Sequence, residues 1–262
     1  MAERSEEQPV PDALGSGAAP VAVIAGATGG IGEACARALA ARGFALVLNA
    51  RREQPLRELA DELGAEAVPG DCGDERVAAD CARRAGAIDV LVHAAGVLRG
   101  SRVREQSVEV FDEVQRANLR SAYVMVHGCL PRISVGGRIV LVSSLSATSP
   151  MRGLTAYSAA KAGMNAFALA LAAELEPEGI NVSLASPGAI DTPMMDNSVN
   201  EFSALPASDV GDVVAWLAQL PPRMVIHDVV FRAPFRGPFV AMAGGKGTEG
   251  LDLASLRATK NP

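Results

Sequence analysis

Short runs of Val, Ile and Leu alternate along this chain with alanine-rich stretches long enough to form helices, and that alternation leaves few folds open. The strand-like runs are Val21–Ala25, Phe44–Asn49, Ala65–Val68, Ile88–His93, Arg138–Ser143, Asn181–Ser186 and Val225–Arg232. Helical stretches lie between them at about Ile31–Arg42, Gln54–Leu63, Glu75–Ala85, Ser107–Leu130 (ended by Pro131), Thr155–Leu175 and Ala207–Leu220. The runs are apolar at successive positions, the pattern of strands buried on both faces. Repeated βα units then imply an α/β protein, a doubly wound parallel sheet covered by helices on both sides.

A chain of 262 residues holds one such domain, expected over about 20–243. Residues 1–19 are acidic and rich in Pro and Gly, and are expected to be a flexible tail and not a secretory signal. Residues 244–262 read as a polar tail. A net charge of −6 argues against a nucleic-acid partner. No apolar run reaches the roughly 18–20 residues of a membrane span. Cys35, Cys72, Cys81 and Cys129 lack CxxC spacing, and His93, His127 and His227 lie far apart, so neither a disulfide framework nor a metal site is expected. Together these features point to a soluble, cytoplasmic protein with reduced thiols.

The first strand runs into Ala25-Gly26-Ala27-Thr28-Gly29-Gly30-Ile31-Gly32 and then a helix. Glycines in such a turn let the backbone approach a pyrophosphate, which sits at the positive helix N-terminus, so the turn reads as a dinucleotide site. An NAD site places a carboxylate about 20 residues on to bind the adenine-ribose hydroxyls. Here the second strand ends Asn49-Ala50-Arg51-Arg52 without an acid. Arginine binds a 2′-phosphate with charge-assisted bonds, whereas a carboxylate repels it, so Arg51 and Arg52 favour NADP(H) over NAD(H).

Lysine occurs only at Lys161, Lys246 and Lys260, and tyrosine only at Tyr123 and Tyr157. Lys161 is the sole lysine of the expected domain, and it stands four residues after Tyr157, on the same helix face. Arginine does not substitute where a compact ammonium must act on a neighbouring phenol.

In these motifs the sequence resembles the short-chain dehydrogenase/reductase family in its single-domain form. The matching positions are Gly26-x-x-x-Gly30-Ile31-Gly32, Asp71, His93-Ala94-Ala95-Gly96, Asn118, Ser144, Tyr157-x-x-x-Lys161 and Pro187-Gly188-x-x-x-Thr192. The resemblance implies a Rossmann-type sheet of about seven strands in the order 3-2-1-4-5-6-7. It implies Asp71 and Cys72 near the adenine, Ala94, Ala95 and Gly96 along the ribose, and Pro187, Gly188, Ile190 and Thr192 around the nicotinamide and phosphate. It also implies hydride exchange between the nicotinamide and a carbonyl or alcohol. Tyr157 would be the proton donor, Lys161 would lower the phenol pKa and hold the ribose, Ser144 would hold the carbonyl oxygen, and Asn118 would carry a water relay. Ser143 is a second choice for the serine role. The chain departs from the family pattern at Ala25 (usually Thr) and at His93-Ala94 (usually Asn-Asn), where His93 reads as a packing residue.

Met194, Met195, Phe202 and Leu205 are expected to form an apolar lid over a small-molecule substrate, facing Leu145, Met151 and Leu154, with Arg152 able to bind an anion. The stretch Thr155–Leu175 is apolar nearly all round, which suggests a homodimer or homotetramer through it and Ser107–Leu130. The favoured function is an NADP(H)-dependent ketoreductase or alcohol dehydrogenase acting on CH–OH groups. Alternatives are a non-catalytic NADP-binding sensor or scaffold and an epimerase or dehydratase relative. The length leaves little room for the extra substrate domain of the last.

Overall fold

Val23 and Ala25 of strand β1 (Val21–Ala25) pack to one side of a sheet while Ala22 and Ile24 pack to the other, and all four are fully buried. This explains why the runs show no alternation: both faces are core. The computed structural model describes residues 19–194 and 204–234. The expected tails, and Met195 and Phe202 of the expected lid, lie outside the described residues.

β1 is followed by α1 (Gly30–Ala40), β2 (Ala45–Ala50), α2 (Glu53–Leu63), β3 (Glu66–Pro69), α3 (Glu75–Ala85) and β4 (Ile88–His93). The chain continues through α4 (Val108–Gln115), α5 (Ser121–Cys129), β5 (Ile133–Val142), α6 (Thr155–Leu175), β6 (Asn181–Pro187), β7 (Ile190–Asp191), β8 (Leu205–Pro206), α7 (Ala207–Ala218) and β9 (Asp228–Phe231). Seven strands form one parallel sheet in the order β3-β2-β1-β4-β5-β6-β9, the expected winding with β9 as seventh strand. Helices α3, α5 and α6 bury one face on Val23, Leu91, Ile139 and Leu141. Helices α1, α2 and α7 bury the other on Ile24, Leu48, Val92 and Val140. Each such side chain contributes about 1.5–3 kcal/mol of burial free energy. The chain reverses direction across the sheet between β1 and β4, so the C-terminal ends of those strands open a crevice.

Four local features depart from the sequence expectation, the simplest being that the last strand covers only Asp228–Phe231 of the expected Val225–Arg232. The single helix expected over Ser107–Leu130 is broken by one π-helical turn at Arg116–Arg120, where Ser121 N–H reaches back five residues to the Arg116 carbonyl. The extra residue shifts the helical phase and turns both Asn118 and Ser121 inward. β5 starts at Ile133 instead of Arg138: Ile133 pairs with Ile88, the chain bulges away from β4 around Gly136, at φ +84°, and pairing resumes at Arg138 with Val90. A two-residue parallel pair, β7 with β8, ties the loop after β6 to the start of α7.

Candidate active site

The glycine turn is set by close packing. Gly26 has φ +85°, and a Cβ there would lie 2.6 Å from the Ala95 amide nitrogen. Only glycine lets the turn pass the end of β4 at that distance. Gly26 and Ala27 donate their N–H groups to the Asn49 carbonyl, both at 2.9 Å, which locks the turn to β2. A Cβ at Gly32 would collide with the Gly26 carbonyl oxygen, and one at Gly30 would meet Thr192 at 2.7 Å. Within the turn of residues 28–31, Gly30 thus faces Thr192 from the loop after β6. Gly29 caps α1 without any side-chain hydrogen bond, so the first-turn N–H groups stay open to an anion.

The two arginines after β2 separate. Arg52 donates from Nη2 to the Thr28 carbonyl at 2.7 Å and lies along the glycine turn. Arg51 is exposed and makes no hydrogen bond or ion pair to the described residues. The Asp71 carboxylate accepts from Gly73 N–H at 2.8 Å and is exposed. Cys72 turns into the core instead, where burial pushes its thiol up to about 11. Ala94 N–H continues the sheet to the Ala25 carbonyl at 2.9 Å. Gly188 N–H donates to Phe231 O at 2.8 Å, and Ile190 is buried, so Pro187–Thr192 hangs from the sheet edge above the turn.

Ser144 follows β5, and Tyr157 and Lys161 rise from the first turns of α6. Tyr157 is 9% exposed and packs with Val114, Ala156 and Ala160, flanked by Val97, Leu98, Leu119 and Leu154. Lys161 is 5% exposed, its Nζ lies 5.7 Å from the Tyr157 ring centre, and it donates to the Val142 carbonyl at 2.8 Å. Burial pushes Lys161 down to about 8. Burial lifts the Tyr157 phenol above its ordinary range, and a hydrogen bond with Ser144 opposes that. Desolvation is the larger influence on the phenol. Tyr123 sits elsewhere, exposed and stacked on His127.

Asn118 is fully buried on the π-helical turn, with Nδ2 donating to Val97 O at 2.8 Å and Val114 O at 2.9 Å. Its Oδ1 has no partner and would lie 2.4 Å from a Cβ on Gly96, itself 3.9 Å from Lys161 Nζ. An orphaned acceptor beside an ammonium with unused donors suits a bound hydroxyl or water. His93 is fully buried against the Ser121 hydroxyl at 2.9 Å, and burial, then the Lys161 charge, pushes it down to about 3. It is neutral at working pH, in keeping with a packing residue. The Ser143 hydroxyl is tied to Asn165, which leaves Ser144 as the serine facing Tyr157.

A family model for short chain dehydrogenase matches residues 20–202. The chain belongs to the short-chain dehydrogenase family. An uncharacterized oxidoreductase of Staphylococcus epidermidis is 31% identical over 221 residues, 81% of this chain and 96% of that protein. A solved dehydrogenase/reductase from Sinorhizobium meliloti shares 27% identity at a TM-score of 0.77, covering 84% of this chain and 96% of the other. A short chain dehydrogenase from Burkholderia cenocepacia, solved in complex with NADP, shares 25% identity at a TM-score of 0.74, covering 81% and 96%.

For a short-chain dehydrogenase, the crevice offers a donor set that fits a nicotinamide dinucleotide. It has a glycine cradle a Cβ would fill, an uncapped helix N-terminus, an unpaired Arg51 and the orphaned Asn118 oxygen. The lining residues Val97 and Leu98, and Asn165 bonded to Ser143, escaped the sequence reading. None carries a spacing signal, and only the folded chain brings them to the site.

Proposed function

We propose that this protein is an NADP(H)-dependent oxidoreductase that exchanges a hydride between nicotinamide and a carbonyl or secondary alcohol, as a ketoreductase or alcohol dehydrogenase. The convergence of Tyr157, Lys161 and Ser144 at the crevice is the observation that carries it.

Gly26, Thr28, Gly29, Gly30, Ile31, Gly32 and Thr192 would hold the pyrophosphate against the α1 N-terminus. Arg51, with Arg52 beside it, would hold a 2′-phosphate, and Asp71 and the Cys72 backbone would border the adenine. Ala94, Ala95 and Gly96 would follow the ribose, with Pro187, Gly188 and Ile190 at the nicotinamide. The bound nicotinamide supplies or accepts the hydride. Ser144 donates to the carbonyl oxygen where charge develops. Tyr157, kept protonated by burial, delivers its proton to that oxygen in the reducing direction. Lys161 sets the field at the phenol and binds a ribose hydroxyl, and Asn118 accepts from a water that returns a proton through Lys161. Leu154, Val97 and Leu98 form an apolar wall that keeps bulk water from the phenol. Such a wall favours an uncharged, partly apolar substrate.

Among the described residues no helix is long and apolar enough to cross a membrane, and all four cysteines are free and buried. Both facts are consistent with a cytoplasmic setting. Leu119, Tyr123 and Phe167, with the charged Asp112, Arg116 and Arg120, line an open groove along α4, the π-helical turn and α6, and Leu169 is exposed on α6. A second copy would cover this surface in a homodimer or homotetramer. NADPH oxidation across a panel of ketones, with Tyr157→Phe as control, tests the function. Turnover in wild type only supports it, and equal rates in both proteins contradict it.

A further inference from the structure

Three successive residues at the end of β5 are each held by α6, at positions four apart on the helix. Tyr157 meets Ser144, Lys161 donates to the Val142 carbonyl at 2.8 Å, and Asn165 Oδ1 accepts from the Ser143 hydroxyl at 2.5 Å. The first two contacts belong to the proposed chemistry. The third lies two helical turns beyond Tyr157, about 12 Å along the axis, too far to touch reacting atoms. Ser143 N–H already donates to Ala185 O at 2.8 Å, so the sheet fixes the strand without Asn165. What the Ser143–Asn165 bond adds is a constraint on the helix.

Helix α6 needs one. Its C-terminal half packs on the sheet through Met164, Ala168, Leu171, Ala172 and Leu175, but the first turns, which carry Tyr157 and Lys161, pack only through the small Ala156 and Ala160 against Val114, and the outer side also carries apolar residues such as Leu169. Apolar burial is non-directional, and small side chains tolerate small rotations of such a helix. A directional bond from a hydroxyl that is 3% exposed does not tolerate them. We propose that Asn165 is a positioning residue, which through Ser143 sets the rotation of α6 against β5 and so places Lys161 and Tyr157 over Val142 and Ser144. This role rests on the oxidoreductase reading above.

The test uses the full chain carrying Lys246→Arg and Lys260→Arg, which leaves Lys161 as the only lysine, so that its side-chain NMR titration is read alone. Asn165→Ala, Ser143→Ala and the double variant are compared in that background. If Lys161 drifts from the Val142 carbonyl, its ammonium loses an acceptor and its acid dissociation constant rises about threefold or more. Turnover falls about tenfold. The double variant matches the single ones, because each removes the same bond. An unchanged Lys161 titration overturns the proposal, even if the melting temperature falls, since that is all a merely structural bond would show. The titration needs no substrate. Full turnover in Tyr157→Phe would remove the oxidoreductase reading itself. An inert Tyr157→Phe beside an Asn165→Ala protein with normal turnover and normal Lys161 titration would remove only the role of Asn165.

Discussion

Lys161 Nζ stands 5.7 Å from the centre of the Tyr157 ring, yet it gives its hydrogen bond to the Val142 carbonyl and not to the phenol. The ammonium is thereby held beside the phenol with two N–H donors to spare. Both groups respond chiefly to burial: the lysine loses its proton more easily than usual, and the phenol keeps its own more tightly.

That burial makes Lys161 a cost to the fold. Its pKa of about 8 lies below the ordinary 10.5, so between those values the unfolded chain binds more protons and stability rises with pH. At neutral pH the full cost is present. Lys161→Met is therefore expected to raise the melting temperature by about 3 °C or more at neutral pH while abolishing turnover. Lys161→Arg is expected to be inactive, because the forked guanidinium does not fit the space of an ammonium against Val142. Calorimetry and an NADPH oxidation assay check both.

Much of this site was legible in the sequence, for physical reasons. Tyr157 and Lys161 four apart must share a helix face, and a glycine turn between strand and helix has few other uses. The seven sheet strands read correctly in place and order, though not in the starts of β5 and β9, because burial on both faces writes continuous apolar runs. The π-helical turn did not read, because one extra residue in a helix leaves the local hydrophobic pattern almost intact while rotating Asn118 and Ser121 inward. The two-strand pair β7–β8 is too short to leave a pattern. Asn165 carried no signal, since its meaning lies in a contact with Ser143 twenty-two residues away.

Arg51 and Arg52 should differ in effect. Arg51→Ala is expected to raise the KM for NADPH about tenfold or more and that for NADH little, because a charge-assisted contact to the 2′-phosphate is all it removes. Arg52→Ala also frees the Thr28 carbonyl and should weaken both cofactors. Equal effects of Arg51→Ala on the two cofactors would argue against 2′-phosphate recognition.

His93 should make the fold sensitive to acid. Burial holds it at about 3 against an ordinary 6.5, so the unfolded chain binds more protons across that interval. Its contribution is complete above 6.5 and is lost progressively as pH falls toward 3. Melting temperatures measured from pH 7 to pH 5 should fall for wild type and fall less for His93→Asn. Parallel curves for the two proteins would contradict the assignment.

Gly26→Ala should damage both fold and binding. The backbone at φ +85° and the contact of a Cβ with Ala95 together cost about 2 kcal/mol or more. Denaturant unfolding reads the loss of stability, and NADPH titration the loss of affinity.

The proton donor itself is tested by Tyr157→Phe, with NADPH binding followed by fluorescence and NADPH oxidation followed on the same ketone panel as wild type. Binding within about twofold of wild type and turnover reduced by about 10³-fold or more are expected, since only the donor is removed. Wild-type turnover in the variant, or no NADPH binding by either protein, would contradict the assignment of Tyr157 as the acid of an NADP(H)-dependent reduction.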